Sequence, residues 1–206
     1  MPIIEHFWRD PMFEEGYFTY PNLYHNMVKM FPTNSHFVEV GVWKGRSAAF
    51  MAVEINNSGK NIRFDCVDTW KGSETEDCHQ TDQYVKSGTL YEKFLSNTEK
   101  VKHIITPIVG DSVNVAGQYA DNSLDFVFID GDHRYEPVKN DILAWLPKMK
   151  NGSILSGHDY AWCTEVRQAV HDVLGEGDGK YEDRYGVGFS SYDDGFGEGC
   201  WIVKVE

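Results

Sequence analysis

From His36 onward, apolar runs of strand length alternate with segments whose apolar residues recur at helical spacing. The runs fall at 36–40, 62–67, 103–109, 124–129 and 153–156, and the helical patterns at 45–56, 90–98, 136–146 and 164–174. Buried runs joined by helical crossovers predict an α/β fold, a parallel sheet with helices on both faces. Two final strand-like segments, 186–190 and 200–205, have no helix between them and predict an antiparallel hairpin at the sheet edge. Ahead of the first run, an aromatic leader (Phe7, Trp8, Phe13, Tyr17, Phe18, Tyr20) precedes a helix opened by Pro21 and running to about residue 31. The polar, acidic segment 71–88 reads as a long loop, a candidate lid. A second loop, 193–199, lies within the hairpin.

Composition narrows the partners. A chain of 206 residues with 41% hydrophobic and 25% charged residues has room for a substantial core. Its formal charge of −13 repels a phosphate backbone, and no basic patch offsets it, so nucleic acid is excluded as the main partner. No apolar run is long enough to span a membrane, and residues 1–10 lack the pattern of a secretion signal. The expectation is a cytoplasmic protein acting on an uncharged or cationic small molecule. Cysteines at 66, 78, 163 and 200 form no C-x-x-C pair and read as reduced structural thiols. Nothing in the sequence sets an oligomeric state.

Residues 37–47, Phe-Val-Glu-Val-Gly-Val-Trp-Lys-Gly-Arg-Ser, read as a buried strand, a glycine turn and a helix start. Gly41 permits the turn, and Gly45 lets the helix begin close to a ligand. The dinucleotide fingerprint is not met, because Val42 and Trp43 occupy the place of its middle glycine. Glu39 would repel a pyrophosphate and could pair with an ammonium, while the helix-start amides suit a carboxylate. Asp68 and Asp111 end the next two strands, where a nucleoside's hydroxyl and amino groups could be received. Each acid alone could equally be a loop residue or a helix cap.

Taken together, these residues resemble the class I S-adenosylmethionine-dependent methyltransferases over roughly residues 36–160. The resemblance implies a Rossmann-like, mostly parallel seven-stranded sheet and one methyltransferase domain spanning 1–206. Within it, 1–34 is the leader, 35–160 the donor-binding core, and 161–206 the last helix and hairpin. It implies Glu39 for the donor's ammonium and Ser47 for its carboxylate, with Gly41 and Gly45 shaping the loop. Asp68 is implied for the ribose, Asp111 and Ser112 for the adenine, and Trp70 for stacking on the base, although Trp70 is as plausible in the core. Asp130 is counted with the donor site as well.

Two further strand ends carry polar groups: Asp130, Asp132 and His133 on one, His158 and Asp159 on the next. Two carboxylates and an imidazole can hold a divalent cation with positions left for substrate. This pattern resembles the metal-dependent O-methyltransferases of catechols and antibiotic sugars, which implies a cation on Asp130, His158 and Asp159. Many relatives carry a carboxylate where His158 stands, which leaves the ion open: oxygen-rich sites favour magnesium or manganese, and a histidine ligand tilts the choice toward manganese, iron or zinc. His133 matches the family's general base, and an imidazole suits that role at neutral pH; Asp132 is the alternative. The expected reaction is O-methylation of a small sugar or vicinal diol. The rivals are a metal-independent methyltransferase acting on nitrogen or another centre, and a donor-binding or nucleotide-binding module without catalysis.

Overall fold

A computed structural model of the chain describes residues 2–14, 18–74, 76–175, 187–189 and 199–206. The order is α1 (Pro21–Met30), β1 (His36–Val40), α2 (Arg46–Ser58), β2 (Arg63–Asp68), α3 (Asp77–Thr81), α4 (Gln83–Ser87), α5 (Leu90–Asn97), β3 (Ile105–Val109), α6 (Ser112–Ala116), β4 (Leu124–Ile129), α7 (Tyr135–Trp145), β5 (Met149–Gly157), α8 (Thr164–Leu174), β6 (Val187–Phe189) and β7 (Trp201–Lys204). The sheet runs β3-β2-β1-β4-β5-β7-β6, parallel through β5 and antiparallel at β7 and β6. Six of these strands are described with their side chains, against the expected seven; the three-residue β6 is described through its backbone alone.

The predicted strands and helices are present with shifted ends. Strand β3 starts at Ile105 rather than 103, and β5 reaches from Met149 to Gly157, well beyond 153–156. The segment 71–88 is not a plain loop, since it contains α3 and α4. Asp82 caps α4 by accepting from the amides of Tyr84 and Val85, and Gly88 closes it at φ +70°. Tyr17, residue 186 and most of 193–199 lie outside the described residues.

Alternation along each strand splits the core in two. On one face, Phe37, Phe126 and Phe128 pack with Tyr20, Tyr24 and Met27 of the leader and α1, and with α2. On the other, Val38, Val127 and Ile129 pack with Ile142, Trp145 and Val170 of α7 and α8. Strand order changes direction between β1 and β4, so their carboxyl ends border the crevice where open α/β sheets receive ligands.

Candidate active site

The glycine turn after β1 is shaped by its protein neighbours. A Cβ on Gly41, at φ +81°, would stand 2.1 Å from the Asp130 carbonyl oxygen. One on Gly45 would meet the Phe94 and Thr98 side chains at 2.9 and 2.8 Å. The room that was expected to serve a ligand at Gly45 is therefore taken by α5 and the residue after it. Asp68 clasps the turn from β2: its Oδ2 accepts from the amides of Val42 and Trp43 at 2.8 and 2.9 Å, and its Oδ1 from that of Trp70 at 2.8 Å. Burial raises its pKa even so, against those amides.

Glu39 lies on the first core face, fully enclosed. Ser47 Oγ donates to its Oε1; its Oε2 is buried outside hydrogen-bond geometry, with the Tyr24 hydroxyl close enough to lower the carboxyl's pKa. Burial pushes the carboxyl up to about 8, against the Ser47 hydrogen bond and with a further push from Asp130. A buried acceptor outside hydrogen-bond geometry is the defect a bound cationic group relieves, so this residue fits a ligand ammonium.

The other expected donor contacts serve the protein in this structure. Trp70 packs its ring on Tyr91 and Phe94 and donates Nε1–H to the Trp43 carbonyl at 3.2 Å, so its ring is core rather than a base-stacking surface. Asp111 is exposed and caps α6 through the Asn114 amide. Ser112 accepts from Trp145 Nε1 at 2.8 Å and bonds Asp141, whose carboxyl burial pushes up to about 7.

The segment around α3 and α4 is docked onto the turn. Lys44 is buried, with its Nζ 2.6 Å from Asp82 and 2.8 Å from Glu14 of the leader. The rings of Trp43 and His79 stack at 3.7 Å.

At the ends of β4 and β5, four side chains converge. Gly157 allows the two strand ends to close, since a Cβ there would lie 2.5 Å from the Ile129 carbonyl oxygen. Asp159, at φ +61°, then turns the chain back; Asp is among the few residues that tolerate this region. His133 Nε2 stands 3.0 Å from Asp159 Oδ2 and 3.9 Å from Asp130 Oδ1. His158 Nδ1 stands 3.2 and 3.7 Å from the same two oxygens. Single ligand atoms of Asp130, His133 and Asp159 lie within 4.8 Å of one another, so His133 as well as the expected His158 stands in ligand range of both carboxylates. The cavity lined by all four measures about 10 Å³, room for one water-sized body. A mixed set of carboxylate oxygens and imidazole nitrogens around such a space fits a divalent cation.

The electrostatics of the pair are opposed. Burial, with Asp159 adding to it, raises the Asp130 carboxyl, while both imidazoles hold it down. Asp159 resists its own burial and is lowered by His158, His133 and the Trp162 N–H, which reaches Oδ1 at 2.6 Å. Asp132, the alternative base, also borders the cavity, but its carboxylate is engaged: Arg134 Nε donates to both its oxygens at 3.0 Å and lowers its pKa against burial.

Several residues at this site were not expected. Tyr20 donates to Asp130 Oδ2 at 2.8 Å, Thr19 Oγ1 lies 2.9 Å from His158 Nε2, and Glu76 Oε1 lies 3.1 Å from His133 Nδ1. Thr19 and Tyr20 reach across more than a hundred residues, and no local pattern reports such a contact; the one signal was the leader's aromatic density.

Residues 38–160 match a family model described as a methyltransferase domain. An uncharacterised protein of Acanthamoeba polyphaga mimivirus is 24% identical over 172 residues, covering 82% of this chain and 72% of its own. Among solved structures, CalS11, described as a TDP-rhamnose 3'-O-methyltransferase of calicheamicin biosynthesis, superposes with a TM-score of 0.59 at 17% identity, covering 89% of this chain and 76% of its own. An O-methyltransferase from Bacillus cereus in complex with SAH gives 0.61 at 13% identity, covering 90% and 80%.

Proposed function

The chain belongs to the methyltransferase-domain family, and from that premise we propose that it methylates a hydroxyl of a small molecule with S-adenosylmethionine as donor. The acceptor is a sugar or vicinal diol, and a divalent cation at the ends of β4 and β5 assists. The observation that carries the proposal is the convergence of Asp130, His133, His158 and Asp159 around one small cavity. A sugar acceptor is supported by the shared fold of CalS11, and a neutral or cationic one by the charge of −13.

When bound, the donor supplies a sulfonium methyl group and the cation supplies a Lewis acid that orients two neighbouring oxygens. In this reading Glu39 holds the donor's ammonium, and its buried Oε2, outside hydrogen-bond geometry, supports the assignment. Ser47 takes the carboxylate, exchanging its present bond to Glu39 for that partner. Asp68, Asp111 and Ser112 lie at the nucleoside end and would share or exchange their present protein partners to receive it.

Asp130 and Asp159 hold the cation together with His158. The Thr19 contact on Nε2 supports that role, since a metal-binding imidazole is held by its other nitrogen. His133 is the more exposed imidazole, at 30% against 5% for His158, and is the general base. It accepts the acceptor's proton at Nε2 while Glu76 steadies Nδ1. Methyl transfer from a sulfonium to an oxyanion cancels charge, so the remaining task is positioning and exclusion of water. The docked segment around α3 and α4 suits that task.

The close grouping of Asp130, His133 and Asp159 favours a second reading in which His133 is the nitrogen ligand. Methyl transfer to a panel of sugars and catechols, followed before and after chelation and on return of magnesium or manganese, tests the proposal. Activity is expected to vanish on chelation and return with the ion; full activity without any ion would overturn the metal's part. In the His133→Ala variant turnover should fall by about 10²–10⁴ with the ion still bound. Loss of the ion itself from that variant would favour the second reading.

A further inference from the structure

Two successive residues of the leader decide which atoms the cluster presents. Tyr20 occupies Asp130 Oδ2, and Thr19 sits against His158 Nε2. Each thereby takes one of the two heteroatoms of a would-be ligand. Their other atoms, Asp130 Oδ1 and His158 Nδ1, face each other at 3.7 Å, and His158 Nδ1 lies 3.2 Å from Asp159 Oδ2.

The leader is held there firmly. Tyr20 is only 1% exposed, and its ring packs on Phe128 at 4.4 Å and on His158 at 4.9 Å. Phe18 closes on it edge-on at 4.8 Å, and Pro21 begins α1 immediately after. The Tyr20 hydroxyl is therefore fixed by the core and not by the site it serves.

We propose that Thr19 and Tyr20 are positioning residues of the cation site, which makes the leader part of that site. They hold Asp130 to one oxygen and His158 to one nitrogen. Without the Tyr20 hydroxyl, Asp130 is free to turn either oxygen inward. Without the Thr19 hydroxyl, the His158 ring loses the contact that distinguishes its two nitrogens. This inference rests on the reading that Asp130, Asp159 and His158 hold a divalent cation.

Calorimetric titration of the full chain with manganese alone tests it, using wild type, Tyr20→Phe, Thr19→Val and Thr19→Ser, with melting of each protein followed in chelator. Tyr20→Phe and Thr19→Val should each bind the ion about 10- to 100-fold more weakly, the scale on which partners of metal ligands act. Thr19→Ser, which keeps the hydroxyl, should bind within about threefold of wild type. A lowered melting temperature in chelator with unchanged affinity would mean a structural role only and would overturn the inference. Should Tyr20→Phe not fold, the Thr19→Val and Thr19→Ser pair decides by the same criterion. A wild-type protein that binds no manganese brings down the underlying reading and the inference with it.

Discussion

The ends of β1 and β2 and the ends of β4 and β5 both present acids at the same edge of the sheet, yet they use them differently. At the first, the polar groups are mostly spent on the protein: Asp68 holds three main-chain amides, Gly41 and Gly45 make room for neighbouring atoms, and Glu39 Oε2 stands outside hydrogen-bond geometry with any described residue. At the second, two carboxylates and two imidazoles face one another, and partners outside the cluster occupy their far sides. The contrast teaches that an acid at a strand end carries little meaning by its type. What the opposite atom of the same side chain is doing separates a clasp from a candidate ligand.

The sharpest way to break the comparison is at Gly41. If the turn is built for packing, Gly41→Ala must fail on the fold and not on the ligand. Its Cβ would meet backbone at 2.1 Å in a left-handed conformation, and a loss above about 4 kcal/mol in denaturant unfolding is expected, the range reserved for severe clashes. Normal stability with weakened donor binding would return the glycine to a ligand role.

Lys44 comes next. Lys44→Met leaves Glu14 and the largely buried Asp82 without their shared cation. Removing one member of a buried pair costs about 3 kcal/mol, and here it should also loosen the segment around α3 and α4. Hydrogen exchange resolved along the chain should show faster exchange in 76–88 and no change in β4. Equal protection in both proteins would make the ion pair incidental.

A third test separates the two ends by pH. The Glu39 carboxyl lies at about 8 when folded against an ordinary 4.5, so the folded chain keeps a proton that the unfolded chain has lost. The stability tied to that proton is fully present below about pH 4.5 and is lost as pH rises toward 8, with a slope of about 1.4 kcal/mol per unit. Glu39→Gln should flatten that part of the profile. An unchanged slope in the variant would assign the ionisation to another group.

Much of this architecture was legible in the sequence because burial on both faces writes long apolar runs, as in Leu124–Ile129, and each run ends where a strand meets solvent. That rule pointed to Asp68, Asp130 and Asp159, whereas Glu39 stands inside β1 and is buried. The helices α3 and α4 escaped notice because their stretch lacks an apolar face, although Asp82 and Gly88 are ordinary cap signals. For Trp70 and Asp111 the sequence leaves two roles open each, and the structure shows the inward one: Trp70 packs on Phe94 and Asp111 caps α6 through the Asn114 amide. The contacts of Thr19 and Tyr20 stayed hidden. Their partners lie 139 and 110 residues away, and a periodic pattern reports which face is buried, never what it meets.

The central claim is a methyl donor seated on the β1 turn with Glu39 at its ammonium. Calorimetric titration of wild type and Glu39→Gln with S-adenosylhomocysteine, and of wild type with NAD, tests it most directly. The account predicts binding of S-adenosylhomocysteine to wild type, at least about tenfold weaker in Glu39→Gln, as expected when a charge-assisted hydrogen bond worth about 1.5–3 kcal/mol is lost, and no binding of NAD. Binding of NAD without binding of S-adenosylhomocysteine would contradict it.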